Sequence, residues 1–359
     1  MKRTIQLTTL LITFFILTNV NLLYSQEKKL PNIIVLATGG TIAGTGESAT
    51  GSSYTAGKVK IEHMIDAVPN IRKLANLTGE QTTNVGSQDM SIKVWLTLAK
   101  RINELLAKDD VDGIVITHGT DTQEETAFFL NLVINSNKPI VMVSAMRSST
   151  ALSADGPLNL YNGVAVAANQ KSKNKGVLVV INDAIFSAHS VKKLLTTPVH
   201  AFMAPEHGQL GTVIFGDVIF FHEPHGIHTT ESEFSIEDID ALPRVDIIYG
   251  CADVSTDLME LMINAGAKGI VIAGVGDGNI NKGTLDAAKK ATSKGIPVVR
   301  ASRIPIGSVL IHGEVVDTNY GTVASDCLSP QKARILLMLA LQKYGTIDRE
   351  KLQELMSKY

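Results

Sequence analysis

Residues 112–132, DGIVITHGTDTQEETAFFLNL, change character within a single turn. Gly113 to Thr117 is an unbroken run of apolar and β-branched residues. A half-exposed strand would alternate, so this run reads as a strand buried on both faces of a parallel sheet. Thr122 followed three places later by Glu125 has the form of a capping box, and Ala127, Phe128, Leu130 and Leu132 supply the apolar face of a helix. His118 to Asp121 is then a tight turn from the carboxyl end of a strand into a helix, with Gly119 expected to supply the bend. In open α/β sheets that edge is where ligands bind. Thr120, Asp121 and Thr122 crowd two hydroxyls and a carboxylate into the turn. Such residues serve as turn and cap formers or as reactive groups, and this stretch alone leaves both readings open.

The same alternation recurs along the chain. Strands are expected at 32–37, 81–85, 113–117, 139–144 and 176–181, with helices at 61–77, 94–106, 122–132 and 162–169 between them. That order predicts a larger N-terminal domain, residues 27–222, built on a doubly wound, mostly parallel sheet. Residues 223–244 read as a linker. From Val245 a smaller C-terminal α/β domain, 245–359, is expected. Its parallel strands lie near 246–249, 269–273 and 297–301, and its helices at 256–265, 282–293 and 330–343, the last capped by Ser329 ahead of Pro330. Trp95, the single tryptophan, falls on an apolar helix face and is assigned to the core.

Residues 1–26 have a basic start (Lys2, Arg3), an apolar middle and a polar exit, the layout of a secretory signal peptide. Gln6, Asn19 and Asn21 interrupt the run and leave it short of a membrane-spanning helix, so no membrane association is expected after cleavage. A formal net charge of -2 argues against a nucleic-acid surface. Cys251 and Cys327 are the only cysteines; a bond between them and two free thiols both remain open.

Two further turns follow strands. Thr38 to Gly46, TGGTIAGTG, puts Gly39, Gly40 and Gly44 around the hydroxyl of Thr41; its spacing is not that of a dinucleotide loop, and no basic phosphate ligand follows. The polar stretch after it, holding Tyr54, reads as a mobile flap. Gly86-Ser87-Gln88-Asp89 is the other turn. In SVKKLLTT, Lys192 and Lys193 sit near a strand exit, as solvated charges or as a lysine set against Asp121. His222, His225 and His228 invite a metal reading, which their linker surroundings and the lack of a nearby cysteine disfavour.

Taken in order, ATGGTIAG (37–44), GSQDM (86–90), THGTDT (117–122), SADGPLNLYN (153–162) and SPQKAR (329–334) resemble the bacterial-type L-asparaginases, and with the leader the exported type II branch. The resemblance spans essentially the whole mature chain and implies hydrolysis of L-asparagine to aspartate and ammonia, with L-glutamine as a lesser substrate. It implies Thr41 as the attacking hydroxyl, and Thr120, Asp121 and Lys193 as the second catalytic group, with Lys192 an alternative to Lys193. Tyr54 is implied as the hydrogen-bond partner of Thr41, and the activation of Thr41 stays open between Lys193 and the pair of Tyr54 and Glu314. Ser87, Gln88 and Asp121 are implied as the clamp on the substrate's α-carboxylate and α-amino groups, and Glu314 as a carboxylate supplied across a subunit contact. Asp253 stands where many of these enzymes carry Asn facing a neighbour's site. No metal or organic cofactor is implied. The partners expected are a small-molecule substrate and further copies of the chain, as a homotetramer built from dimers, in the periplasm. Other readings are comparable or preferred glutamine use, a non-catalytic exported amino-acid binding protein, a metal-dependent amidohydrolase using the linker histidines, and the subunit acting in tRNA-dependent amidation. The signal segment and the lack of a basic surface disfavour the last.

Overall fold

The computed structural model describes residues 29–51, 53, 55 and 57–359; the expected signal peptide and Tyr54 lie outside the described residues. β1 (Asn32–Gly39), β2 (Asn76–Val85), β3 (Gly113–Thr117), β4 (Ile140–Val143) and β5 (Val177–Ile181) run parallel in the order β2-β1-β3-β4-β5. β6 (Ala184–Ser187) adds antiparallel to β5. The short β7 (Lys192–Lys193) and β8 (Phe202–Met203) pair as a separate ribbon. β9 (Gly211–Ile214) and β10 (Asp217–Phe220) complete an eight-stranded sheet.

Because successive side chains of a strand point to opposite faces, the continuous apolar runs supply both sides of this sheet. Val35, Val115, Val141 and Leu178 face α1 (Ile61–Asp66) and α4 (Gly156–Ala167). Leu36, Ile116, Met142 and Val179 face α2 (Ile92–Leu106) and α3 (Gln123–Val133), where Trp95 stacks on Phe129 with ring centroids 5.2 Å apart. The expected doubly wound, mostly parallel architecture is therefore present.

The C-terminal domain carries an all-parallel sheet of β11 (Val245–Tyr249), β12 (Gly269–Gly274), β13 (Val298–Ser302) and β14 (Val323–Ala324). α5 (Leu258–Asn264), α6 (Lys282–Ser293), α7 (Pro330–Tyr344) and α8 (Arg349–Lys358) pack around it. Buried α7 residues such as Leu336 share one apolar cluster with Phe128 and Phe129 of α3, so a single core spans both domains. No helix among the described residues is long and apolar enough to cross a membrane.

Four local expectations are corrected. The helix expected over 61–77 stops at Asp66, since Pro69 disfavours the helical region for the residue before it, and β2 already begins at Asn76. The helix expected from Asn162 begins at Gly156, with Pro157 in its first turn. The capping box does not form: Thr122 Oγ1 donates to the Ser87 carbonyl (2.8 Å) and makes no cap bond. Ser329 stands at the head of α7 without capping it, its buried Oγ lacking a hydrogen-bond partner.

Candidate active site

In the order β2-β1-β3, the chain crosses from one side of β1 to the other, and the crevice at the carboxyl ends of such strands is the expected ligand site. The three polar turns singled out in the sequence leave these three neighbouring strands: Thr41 to Ala43 after β1, Ser87 to Asp89 after β2, and Thr120 to Thr122 after β3. Thr41, Ser87 and Thr120 are all buried.

Glycine brings two of the turns into backbone contact. Gly40 sits at φ 81°, and a Cβ placed on it would lie 2.4 Å from Gly119 N. Gly119 was expected to supply a bend, yet its φ of -83° suits any residue. What demands glycine there is space, since a Cβ would meet Ser87 Oγ at 2.6 Å. The residue after each of these two glycines is a threonine, so the close approach brings together the turns that carry Thr41 and Thr120. Ser87 ties the third turn in: its Oγ accepts from the Asp121 amide at 3.1 Å, and its carbonyl accepts from Thr122.

Lys193, on the β7–β8 ribbon, donates from Nζ to Thr120 Oγ1 (2.9 Å) and to Asp121 Oδ1 (2.7 Å). Lys192 points elsewhere, to Glu206 Oε1 (2.6 Å) and the Pro305 carbonyl (2.8 Å). With Lys193 donating to Thr120 Oγ1, the threonine's own hydrogen is left to point to a ligand or a water. Gln88 is exposed at the rim, with Nε2 on Asp89 Oδ2 at 3.2 Å.

The flap segment is anchored at its base. Thr45 and Thr55 exchange backbone bonds of 3.0 and 2.9 Å, and the Gly57 amide donates to the Gly40 carbonyl.

Asp253 and Glu314 lie apart from these turns, on loops beyond the carboxyl ends of the C-terminal strands. Both are exposed; Glu314 accepts from Asn279 Nδ2 at 2.5 Å, and Asp253 takes a left-handed φ of 56°. The linker histidines do not converge on one another. His222 bonds the Gln209 and Glu223 carbonyls, His228 bonds Thr229 Oγ1, and His225 stacks on His207. Both cysteines are free.

Residues 32–226 match the family described as "Asparaginase, N-terminal", and residues 244–356 the "Glutaminase/Asparaginase C-terminal domain". The chain belongs to the asparaginase family. It is 49% identical to "L-asparaginase 2" of Escherichia coli over 92% of this chain and 94% of that protein. It is 50% identical to "Probable L-asparaginase periplasmic" of Haemophilus influenzae over 87% and 89%. The crystal structure of the "Probable Cytoplasmic L-asparaginase" from Campylobacter jejuni superposes with a TM-score of 0.88 at 46% identity, covering 92% of this chain and all of that one.

Within this asparaginase framework, three residues with no role in the sequence reading hold the lysine ribbon in place. Glu124, buried in the first turn of α3, accepts from the Lys193 amide (2.5 Å) and from Gln331 Nε2 (2.5 Å) on α7. Lys332 Nζ, fully buried, donates to the carbonyls of His189 and Val191, which lead into the ribbon. Burial lowers its ammonium to about 8. The SPQKAR segment thus reaches from the C-terminal domain to the back of Lys193.

Beside Glu124, burial and then the neighbouring carboxylate push Glu125 up from 4.5 to about 7. A carboxyl raised on folding favours the folded state while protonated, and that contribution is lost as pH rises through about 7. Glu125→Gln is therefore expected to raise stability by about 1–2 kcal/mol at pH 8, after discounting for partial exposure. The gain should vanish below the ordinary carboxylate range, a pattern that urea titrations at the two pH values would reveal.

Proposed function

We propose that this chain hydrolyses the side-chain amide of L-asparagine to L-aspartate and ammonia, with L-glutamine as a secondary substrate. Family membership supports the reaction class. The observation that carries the residue assignment is the Gly40–Gly119 contact, which sets two buried threonine turns side by side at the sheet's switch point.

An amide is a poor electrophile and ammonia a poor leaving group, so a hydroxyl needs activation and the developing oxyanion needs donors. In the proposed sequence Thr41 Oγ1 attacks the amide carbon, the C–N bond breaks, and nitrogen leaves as ammonia after taking up a proton. The resulting ester is cleaved by water, which regenerates the hydroxyl and releases the carboxylate. Thr120, oriented by Lys193, lends a hydroxyl to this chemistry. Asp121 receives the substrate ammonium, while Ser87 and Gln88 receive its α-carboxylate.

Asp253, Glu314 and Tyr54 complete the proposed set, the first two supplied by a second copy. A tetramer of paired dimers is supported by large apolar side chains left exposed on the C-terminal domain, Tyr249, Ile304, Ile306, Leu310 and Ile311 among them. Export to the periplasm is supported by the layout of residues 1–26. Sedimentation checks the assembly, and a monomer with full activity would end that part of the proposal.

The deciding assay is ammonia release from L-asparagine and L-glutamine side by side, with chelator present. No turnover of either would favour the binding-protein reading, and loss only with chelator, at an unchanged unfolding temperature, a metal-dependent amidohydrolase. In the same assay Lys193→Met is expected to lower kcat by more than about 10^2-fold, within the range for positioned proton-handling groups. Lys192→Met is expected to lower the unfolding temperature through its orphaned Glu206 partner and to leave kcat within about threefold. The reverse pattern would transfer the catalytic role to Lys192.

A further inference from the structure

We propose that His189, His207 and Cys327 form a binding site for a divalent ion of the zinc class, on the side of the β7–β8 ribbon away from Thr120. One ligand atom from each of the three residues lies within 4.8 Å of the others, and His189 Nε2 is already 3.9 Å from Cys327 Sγ. With metal–nitrogen bonds of about 2.0–2.1 Å and metal–sulfur bonds of about 2.3 Å, ligand atoms around a tetrahedral zinc sit roughly 3.5 Å apart. Closing the set brings the ligand atoms together by roughly 1 Å.

The surroundings favour an ion over three packed side chains. Ser190 Oγ lies 3.1 Å from Nδ1 of both His189 and His207, the outer hydrogen bond that fixes the tautomer of a ligating imidazole and leaves its other nitrogen for a metal. His225 stacks over His207 with centroids 4.2 Å apart and stands 5.1 Å from the His189 ring, covering the cluster on that side. Two imidazoles and a thiol are a borderline-soft donor set that selects zinc, copper or cobalt over magnesium or calcium. Two lysines stand nearby: Lys192 is paired with Glu206, while Lys332 is hydrogen-bonded to two neutral carbonyls and keeps its charge, which a bound thiolate would offset. On binding, the Cys327 thiol gives up its proton to solvent and sulfur becomes the ligand.

The ligands come from the segment entering β7, from the loop between β8 and β9, and from the turn before α7. An ion there would fasten the lysine ribbon to the C-terminal domain, beside the contacts made by Glu124 and Lys332. The role is structural, since none of the three ligands touches Thr120 or Asp121.

The test loads the purified, full-length protein with Co2+ or Zn2+, dialyses it against micromolar free metal, and counts bound ions. One ion per chain is expected, with a thiolate-to-cobalt charge-transfer band in the near ultraviolet and a raised unfolding temperature for the zinc form. Cys327→Ser should abolish the band, and His207→Gln should abolish stoichiometric binding while circular dichroism stays native. His207→Gln carries the test if Cys327→Ser fails to fold. Retention of no metal by the wild type overturns the site, as does a cobalt spectrum unchanged in Cys327→Ser. So does stoichiometric binding that survives His207→Gln and disappears only when the exposed His222 is replaced. Because the readout is bound metal, the result is independent of whether the asparagine reaction is as proposed.

Discussion

Thr41→Ala and Thr120→Ala are each expected to lower kcat for asparagine hydrolysis by more than about 10^3-fold, and the double variant is expected to lose far less than the product of the two. Both hydroxyls are assigned to one reacting carbonyl. Once Thr41 is gone no ester forms, and Thr120 then has little left to assist. Two groups acting on independent steps would instead multiply. Serine at either position keeps the oxygen and is expected to recover much of the rate, whereas valine keeps the shape and is expected to behave as alanine does. The measurement is single-turnover ammonia release with all variants at substrate saturation. A Thr41→Ala enzyme within tenfold of wild type would remove Thr41 as nucleophile, and a fully multiplicative double variant would separate the two threonines into different steps.

The parts of this molecule that were legible in the sequence are those where one local pattern has one physical cause. Ile114 to Ile116 and Val177 to Ile181 read as buried parallel strands because both faces of the sheet are covered. Gly40 reads as part of a turn at a strand exit because glycine takes the positive φ that the bend after β1 needs, here 81°. What was not legible depends on convergence from distant segments. The Thr122–Glu125 pair has the form of a cap, yet the Thr122 hydroxyl is taken by Ser87, 35 residues away. Glu124 carries no local signal, because its two partners come from Lys193 and Gln331. Lys192 and Lys193 are indistinguishable as a dipeptide; the alternation of the short β7 strand sends them to opposite partners, Glu206 and Thr120. His225 was weighed with its sequence neighbours, whereas its spatial neighbours are His189 and His207.

That same dependence on distant partners makes the C-terminal domain vulnerable at one point, and Asp317→Asn is expected to destabilise it by about 3–5 kcal/mol, the usual consequence of leaving a buried charge unpaired. Arg300 and Asp317 are both fully buried, joined by a two-pronged contact of 2.7 and 2.9 Å. Arg300 also donates to the carbonyls of Asp277 and Leu310, while Asp317 accepts from Thr322 Oγ1 and the His312 amide. The pair therefore fixes the loop that carries Glu314 and the turn that carries Asn279. Burial works to raise the Asp317 carboxyl, and the bonds from Arg300 and Thr322 outweigh it and bring it below the ordinary range. A carboxyl lowered on folding stabilises above its unfolded value and loses that contribution as pH falls through the folded one. The difference between wild type and Asp317→Asn should accordingly shrink in acid. Pairing Arg300→Met with Asp317→Leu removes the stranded charge and is expected to recover only part of the loss, because the Asp277 and Leu310 carbonyls are left without their donor. Urea midpoints at neutral and acid pH read the stability. At temperatures where the variant stays folded, a raised KM for asparagine with little change in kcat would place the Glu314 loop at the substrate of a neighbouring copy. An unchanged KM in a destabilised variant would instead confine the pair to a structural role.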